Sequence, residues 1–520
     1  MTMQKTLTLR GVPRALALDG WWLDATTEIP GPSDTRSVGA VVAAAARLPR
    51  ATGLLALVVL ADVLFWRHAP GLSLAIFAGA VLVVALTDVR PRRDLVGPAV
   101  LLVLGALPVI EHLQALSLGF LAAALLVALI RARHPQAGAG RLAASALHLV
   151  RRLPVLWLAP LRPAPLRGLV AGLQPVRWLR DWAFPLGGSL VIVALLMDAN
   201  PMLLRLIPID VDLWALAERG LFWLGTALLV LPLLAPDLPL GDMAGPALRP
   251  LPGFGINARS VLRALVMFNL LLGVQMVADA AILFAGAALP PGMDYAEYAH
   301  RGAYPLLATA VLAGAFALAA RPFLDEHRLI RSLLLLWLAQ NVVLCGAAAL
   351  RLDLYVAAYG LTYLRLYALV WMALVAAGLG LIAWQIILGR NNGWLVMRAA
   401  AMGLATLYAC SFVNVAQVIA AQQLGRERPD IGYVCDLGPM AAGPVHEAPD
   451  RHAEIAAWVE ANSSRWREVG DLYEGKSYCA ALNAPTIHDW RDWGFRSWRV
   501  IRRVQAAQVP ERSHEDPDRR

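Results

Sequence analysis

The chain has 520 residues, 58% of them hydrophobic and only 16% charged, with a mean hydropathy of +0.57. A water-soluble domain of ordinary composition does not reach that balance, so lipid is the expected solvent for most of the chain. The formal charge of +9 comes from arginine, Lys5 and Lys476 being the only lysines, and the arginines lie mostly between apolar runs, which fits the positive-inside rule and argues against a nucleic-acid partner.

Residues 1–50 carry Lys5, Arg10, Arg14, Arg36, Arg47 and Arg50 around a polar, proline-containing stretch. With no apolar core before Ala51, no cleavable signal peptide is expected and the segment reads as cytoplasmic and largely irregular. Region 51–130 then holds apolar runs at Ala51–Trp66, Leu72–Thr87, Leu95–Ile110 and Leu113–Ile130. Lipid offers backbone amides no partner, so runs approaching about twenty residues must be helices or barrel strands, and these do not alternate as strands would. Region 131–184 is an Arg/Pro-rich connection, with Arg131, Arg133, Arg141, Arg151, Arg152, Arg162, Arg167, Arg177 and Arg180 against Asp181 alone. That excess marks it as cytoplasmic.

Region 185–424 returns to apolar runs at Pro185–Leu204, Leu213–Leu234, Leu262–Leu289, Gly302–Ala320, Ile330–Leu350, Tyr363–Leu388 and Trp394–Leu424. The last carries Arg398, Asn414 and Gln417, which leave room for a break or a half-buried end. The expected fold is an all-α integral membrane protein, a polytopic helical bundle of about eleven transmembrane helices with a small helical C-terminal module. Arg90, Arg92 and Arg93 fall on the inner side, while Asp210, Asp212 and Glu218 fall on the outer side, as does the Glu111–His112 link, which has no Lys or Arg. An inside N-terminus and an odd number of spans place the tail outside, in the periplasm of a bacterial inner (plasma) membrane.

The tail, residues 425–509, reads as helical, and 510–520 as a charged, disordered end. On a helix over Trp490–Val504, Trp490, Trp493, Trp498, Val500, Ile501 and Val504 fall on one arc, with Arg491, Asp492, Arg496, Arg499, Arg502 and Arg503 on the other. Such a helix suits either the lipid headgroup region or a cap over the bundle's own loops. Cys435 and Cys479 are the cysteines outside the spans, and an oxidising periplasm would pair them while Cys345 and Cys410 stay reduced.

At Pro291–Pro305, PGMDYAEYAHRGAYP, and at Trp337–Trp371, WLAQNVVLCGAAALRLDLYVAAYGLTYLRLYALVW, the chain resembles the uncharacterised bacterial multi-pass membrane proteins of domain of unknown function 4173. The resemblance runs from about Pro252 to the end of the last span, leaves the first apolar runs uncovered, and weakens in the tail at FVNVAQVIAAQQLGRERPDIGYV. It implies membership and brings no activity, ligand, cofactor or catalytic residue.

Among candidate chemical groups, Asp279 lies four residues after Gln275 inside an apolar run. A charge in hydrocarbon is costly unless paired or hydrated, so it reads as a proton or cation relay or as a structural pair with an arginine or amide on a neighbouring helix. Glu297 and His300 have a spacing known from helix-borne metal sites, but one such pair supplies too few ligands, and no metal or cofactor is expected. Tyr355, Tyr359, Tyr363 and Tyr367 recur every four residues and would line one face at the start of the Tyr363–Leu388 span, as an aromatic belt flanked by Arg351, Asp353 and Arg365. No phosphate-binding glycine loop, nucleophile elbow, zinc-protease helix or cysteine-rich metal pattern is present.

By depth, Asp279, Glu297, His300, Arg301, Gln340, Asn341, Arg351, Asp353, Tyr355, Tyr359, Tyr363 and Arg365 all meet the outer leaflet, joined by Asn414 and Gln417 if the last run spans, which predicts one outward-facing polar site suited to a zwitterionic or anionic headgroup. The favoured reading is a non-enzymatic envelope sensor or assembly protein whose partners are the lipid bilayer, a lipid headgroup or an envelope protein. A proton- or cation-coupled transporter using Asp279, or an enzyme acting on a lipid-linked envelope substrate through His300, is the alternative.

Overall fold

The computed structural model describes residues 48–87, 95–150 apart from 139, 143 and 149, isolated positions within 185–192, and 213–234, 257–283, 295–324, 328–467 and 479–508. The predicted N-terminal segment, most of the Arg/Pro-rich connection, the predicted span Pro185–Leu204 and the charged end lie outside them. The chain divides into two compact units, Met1–Ala56 with Trp157–Glu218 and Leu57–Leu156 with Arg219–Arg520. Little of the first is described, and the packing that follows is that of the second.

The described secondary structure is helical, with no strand among the described residues. The apolar runs become α1 (Leu48–Phe65), α2 (Leu72–Ala85), α3 (Val96–Glu111), α4 (Ala115–Arg133), α5 (Leu213–Val230), α6 (Ala258–Leu283), α7 (Tyr295–Ala320), α8 (Arg328–Tyr359), α9 (Tyr363–Leu388) and α10 (Asn392–Cys410). Against the expected total of about eleven spans, 6 helices among the described residues are long and apolar enough to cross a membrane: Ala115–Arg133, Trp214–Leu234, Ala258–Ile282, Arg328–Tyr359, Tyr363–Leu388 and Asn392–Cys410. Thr52–Phe65, Leu72–Ala85, Val96–Glu111 and Ala308–Phe323 are apolar but shorter.

The bundle's core is built around α8. Its buried residues Ile330, Leu334, Trp337, Leu338, Asn341, Leu344, Cys345, Ala348, Arg351 and Leu352 recur at helical spacing. Those up to Cys345, apart from Asn341, cluster with Leu265 of α6, Ala313 of α7 and Leu379 of α9, and Ala348 and Leu352 cluster with Met372 of α9. Leu329, Leu336, Val343 and Leu350, off that stripe, are exposed and equally apolar. A helix apolar on its packed and its free side is what a lipid solvent allows. In the α3–α4 hairpin a Cβ on Gly105 would lie 2.1 Å from Ala124 Cβ, so the helices touch where only glycine fits.

Local chemistry explains where these helices stop. Gly360 has φ +81°, and a Cβ there would fall 2.4 Å from the Gln423 side chain, so α8 ends at a position that glycine alone satisfies. Thr362 then accepts from Arg365 N at 3.4 Å and opens α9. The expected tyrosine face is corrected by this break: Tyr355 and Tyr359 end one helix, and Tyr363 and Tyr367 begin the next. Gly389, at φ +61°, closes α9, and Asn391 caps α10 by accepting from Trp394 N at 2.8 Å.

The expected span Trp394–Leu424 is also corrected. It ends at Cys410, and after a turn Asn414 caps a new helix, α11 (Val415–Leu424). The cause is that α11 buries Ala416, Ile419, Ala420 and Leu424 in the tail core, which the α8–α9 turn also enters. The tail continues through α12 (Ile431–Asp436), α13 (Ala442–His446), α14 (His452–Arg467) and α15 (Phe495–Gln508). Val434, Val445, Ile455 and Ala481 complete its core, and Leu361 from the α8–α9 turn joins it. Cys435 and Cys479, separated by 44 residues in sequence, are disulfide-bonded. In the chain-entropy account a loop of that size stabilises by about 4 kcal/mol. Thiol labelling without reductant is expected to leave both tail cysteines unmodified, and labelling of both in the native protein would contradict the bond.

The bundle has two chemically different ends. At one, α4 finishes in Arg131 and Arg133, Arg331 donates to the Ile386 and Ile387 carbonyls at 3.2 and 3.1 Å, and Arg321 reaches the Arg390 carbonyl and the Asn392 side chain. At the other, the Arg491–Gly494 turn sits on the start of α2, where Leu72 N donates to the Trp493 carbonyl at 3.0 Å and Ser73 N to that of Arg491 at 3.2 Å. Helix N-termini leave backbone N–H groups unpaired, and here tail carbonyls take them.

Candidate functional site

The tail is fastened to the bundle by a buried ion-pair cluster. Glu111 closes α3 and is 5% exposed, and Arg496 on the first turn of α15 is also 5% exposed. Arg496 Nε donates to Glu111 at 3.3 Å, Nη2 donates to the Ser411 carbonyl at 2.7 Å, and Arg499 from the next turn also pairs with Glu111. Burial lowers the Arg496 pKa and the Glu111 carboxylate counters that, while a guanidinium keeps its proton at physiological pH in any case. The expected geometry of the Trp490–Val504 helix is corrected here. The helix starts at Phe495, its buried stripe is Arg496, Val500 and Val504, and Trp490 and Trp498 are exposed. Asp489 and Asp492 tie up the Trp490–Gly494 stretch as a turn, accepting from the N–H groups of Arg491, His488 and Asp489.

His112, which follows Glu111, has its pKa lowered to about 4, first by burial and then by the Arg496 charge. Its folded value lies below the ordinary one, so the unfolded state takes up the proton first as pH falls from about 6.5 to about 4. Tail docking is therefore expected to weaken through that window, where His112 shares its cavity with Tyr363 and Arg496. The protection factors of the α15 amides, which normalise for the slower intrinsic exchange at lower pH, should fall as pH drops below 6.5 and hardly change there in His112→Gln; an unchanged pH response in the variant would remove His112 from the explanation.

Beside this cluster lies a cavity of about 710 Å³. One wall is α9, where Tyr363, Tyr367, Val370, Trp371 and Leu374 share a face, and the other is α10, with Gly403, Thr406, Leu407 and Cys410. The α10 wall stands off from the bundle, Leu395 being its buried residue, and is steadied by Tyr408, whose hydroxyl donates to the Leu104 carbonyl of α3 at 2.8 Å. Gly403 faces open space, and Tyr367, Trp371 and Leu407 are about half exposed, so the cavity opens sideways between the helices. Its tail end is polar, with His112, Gln114, Asn414 and Arg496. Asn414 and Arg496 also line a second space of about 150 Å³ together with Gln417, Arg499 and Arg503. An apolar groove and a basic recess under the tail thus share Asn414 and Arg496 in their walls.

Of the residues expected from sequence depth, Tyr363 and Asn414 line the larger cavity and Asn414 and Gln417 the smaller, while Asp279, Gln340, Asn341, Arg351, Asp353, Tyr355, Tyr359 and Arg365 line neither. Asp279 is 4% exposed, takes a hydrogen bond from Gln275 on its own helix at 2.8 Å, and pairs with Arg351 of α8. Gln340 donates to the Asn269 carbonyl at 3.2 Å, which joins α8 to α6, while Asn341 donates back to Trp337 of its own helix at 2.7 Å. Arg365 lies 4.3 Å from the Tyr355 ring centroid and donates to the Tyr359 and Gly360 carbonyls, so Tyr355, Tyr359 and Arg365 form a clasp over the α8–α9 turn. Asp353 is exposed. Glu297, His300 and Arg301 lie on the first turns of α7, and their side chains are outside the described residues. Among the described residues no group of three or more His, Cys, Asp or Glu is arranged to hold a metal.

The residues that the sequence did not place at the site are Glu111, Arg496 and the α9–α10 faces. Arg496 had a usable signal, since it precedes Val500 and Val504 at intervals of four. Its partner Glu111 is 385 residues away in sequence, and nothing local announces it.

Residues 54–448 match the family described as domain of unknown function (DUF4153). The chain belongs to that family. The match covers the first apolar helices as well as the later motifs, so the resemblance from about Pro252 onward understated its reach, and the related family number it suggested is not the one that matches. No curated protein and no solved structure matches the chain. Membership in DUF4153 carries no activity with it, and the functional reading rests on the site's own geometry.

Proposed function

We propose that this DUF4153 chain is a non-enzymatic protein of the bacterial inner membrane that holds an amphiphile, as a sensor or assembly factor of the envelope. The observation that carries this reading is that the apolar groove of about 710 Å³ between α9 and α10 shares Asn414 and Arg496 with the basic recess under the tail. A pocket that is mostly apolar and meets a few convergent polar groups is the usual form of a ligand site. An acyl chain would lie against Val370, Trp371, Leu374 and Leu407, reached sideways from the bilayer, with its polar end at Asn414 and Arg496. Native mass spectrometry of the detergent-purified chain is expected to show a retained lipid-sized ligand, and Gly403→Trp, which fills the open space on α10, should expel it without unfolding the protein. A wild-type chain that retains no amphiphile after mild delipidation and re-exposure to lipid defeats the reading.

The tail is proposed to face the periplasm. The arginine-rich loop end at Arg131, Arg133, Arg321, Arg331 and Arg390 fits the cytoplasmic side by the positive-inside rule, and the disulfide in the module at the other end fits an oxidising compartment. A periplasm-dependent reporter fused after Arg520 is expected to be active. A silent fusion paired with an active cytoplasmic reporter at the same point would reverse the orientation.

A further inference from the structure

We infer that the basic recess is a phosphate site, so that the amphiphile proposed above carries a phosphate at its head; this rests on the amphiphile reading and names its chemistry. Arg496, Arg499 and Arg503 converge on the recess, and Glu111 is the carboxylate that pairs with the first two of them. Arg503 forms no ion pair among the described residues. One carboxylate among three guanidiniums leaves an excess of positive charge facing a partly enclosed space, and His112 behind it is neutral at physiological pH. That excess calls for an anion of more than one charge or of several oxygens.

Guanidinium forks match phosphate oxygens in pairs, which makes arginine the usual residue for planar, bidentate recognition of phosphate. Two of the three arginines are also held in place before any ligand arrives. Arg496 is buried and fixed by Glu111 and the Ser411 carbonyl, and Arg499 stacks 4.8 Å from the Phe495 ring centroid while bonded to Glu111. Preorganised donors lose little entropy on binding. Gln417 adds a carboxamide whose oxygen faces Asn414 at 3.4 Å and whose amide nitrogen is left for a ligand. The recess of about 150 Å³ matches the room taken by about five waters, the scale of a single phosphate group. Phe412, Val418 and Val500 complete its walls, so the bound charge would be partly screened from water and its attraction to the arginines strengthened.

The test uses the full chain, delipidated in neutral detergent, with dioleoylphosphatidic acid, dioleoylglycerol and inorganic phosphate as separate probes in native mass spectrometry or a thermal-shift titration. The phosphatidic acid is expected to bind at least tenfold more tightly than the diacylglycerol, and Arg503→Gln should remove most of that preference while leaving diacylglycerol binding and the melting temperature alone. Arg502→Gln, on the same helix but outside the recess, should leave the preference intact, which separates a built site from general attraction to a basic tail. Equal binding of the two lipids overturns the phosphate inference and leaves the amphiphile reading standing. Binding of neither lipid overturns both. If inorganic phosphate alone binds as tightly as the lipid, and Arg503→Gln weakens both alike, the site is upheld and its source is the free anion.

Discussion

Glu111→Ala is expected to undock the tail from the bundle. The substitution leaves Arg496 charged, 5% exposed and without its carboxylate, and breaking a buried pair from one side costs about 3–5 kcal/mol. The loss should be concentrated in docking, because the tail's own core and disulfide do not depend on Glu111. Limited proteolysis is expected to cut within Ser411–Asn414, a link that is protected when Arg496 bonds the Ser411 carbonyl. Thermal unfolding in detergent should show the tail transition separating from that of the bundle. Adding Arg496→Met to Glu111→Ala should recover much of the loss, since an apolar pair of similar size has no charge to desolvate. Protection at the link unchanged in Glu111→Ala would show that the pair does not hold the tail.

The membrane character was legible because hydropathy reports residue type, and lipid forces apolar runs to become helices. Boundaries were less legible for the same reason. Apolar composition continues from α10 through Phe412 and Val413 into α11, so a hydropathy window runs across a break that is set by the Asn414 cap and by the α11 face joining the tail core. The spacing of Tyr355, Tyr359, Tyr363 and Tyr367 looked like one helical face because period counting ignores Gly360, whose positive φ interrupts it. Arg496 was assigned to the polar arc of its helix, since amphipathic analysis sorts side chains by type and cannot see a distant carboxylate that makes burial of a charge tolerable. The cavity between α9 and α10 had no sequence signal at all. Both helices are apolar all round, and which face meets lipid, protein or a groove is decided by packing.

The Asp279–Arg351 pair gives the other large expected effect, and it divides residues that the sequence placed in one site. Arg351 is 6% exposed and Asp353, two positions on, is exposed. Arg351→Ala leaves the buried Asp279 carboxyl without its counter-charge and with the Gln275 hydrogen bond remaining, at about 3–5 kcal/mol of lost stability. Asp353→Ala is expected to stay within about 0.5 kcal/mol of wild type, as surface changes usually do. A double change, Asp279→Leu with Arg351→Met, removes both charges and both desolvation costs, so it should melt closer to wild type than either single variant, the difference measuring the coupling. The same set separates scaffold from transport. If the pair only braces α6 against α8, the double variant folds and keeps lipid retention at the α9–α10 groove, and wild-type liposomes pass no proton or cation current. A current in wild type that disappears in Asp279→Asn, in protein that still melts as a folded bundle, would make Asp279 a coupling group and Arg351 the counter-charge that its protonation releases.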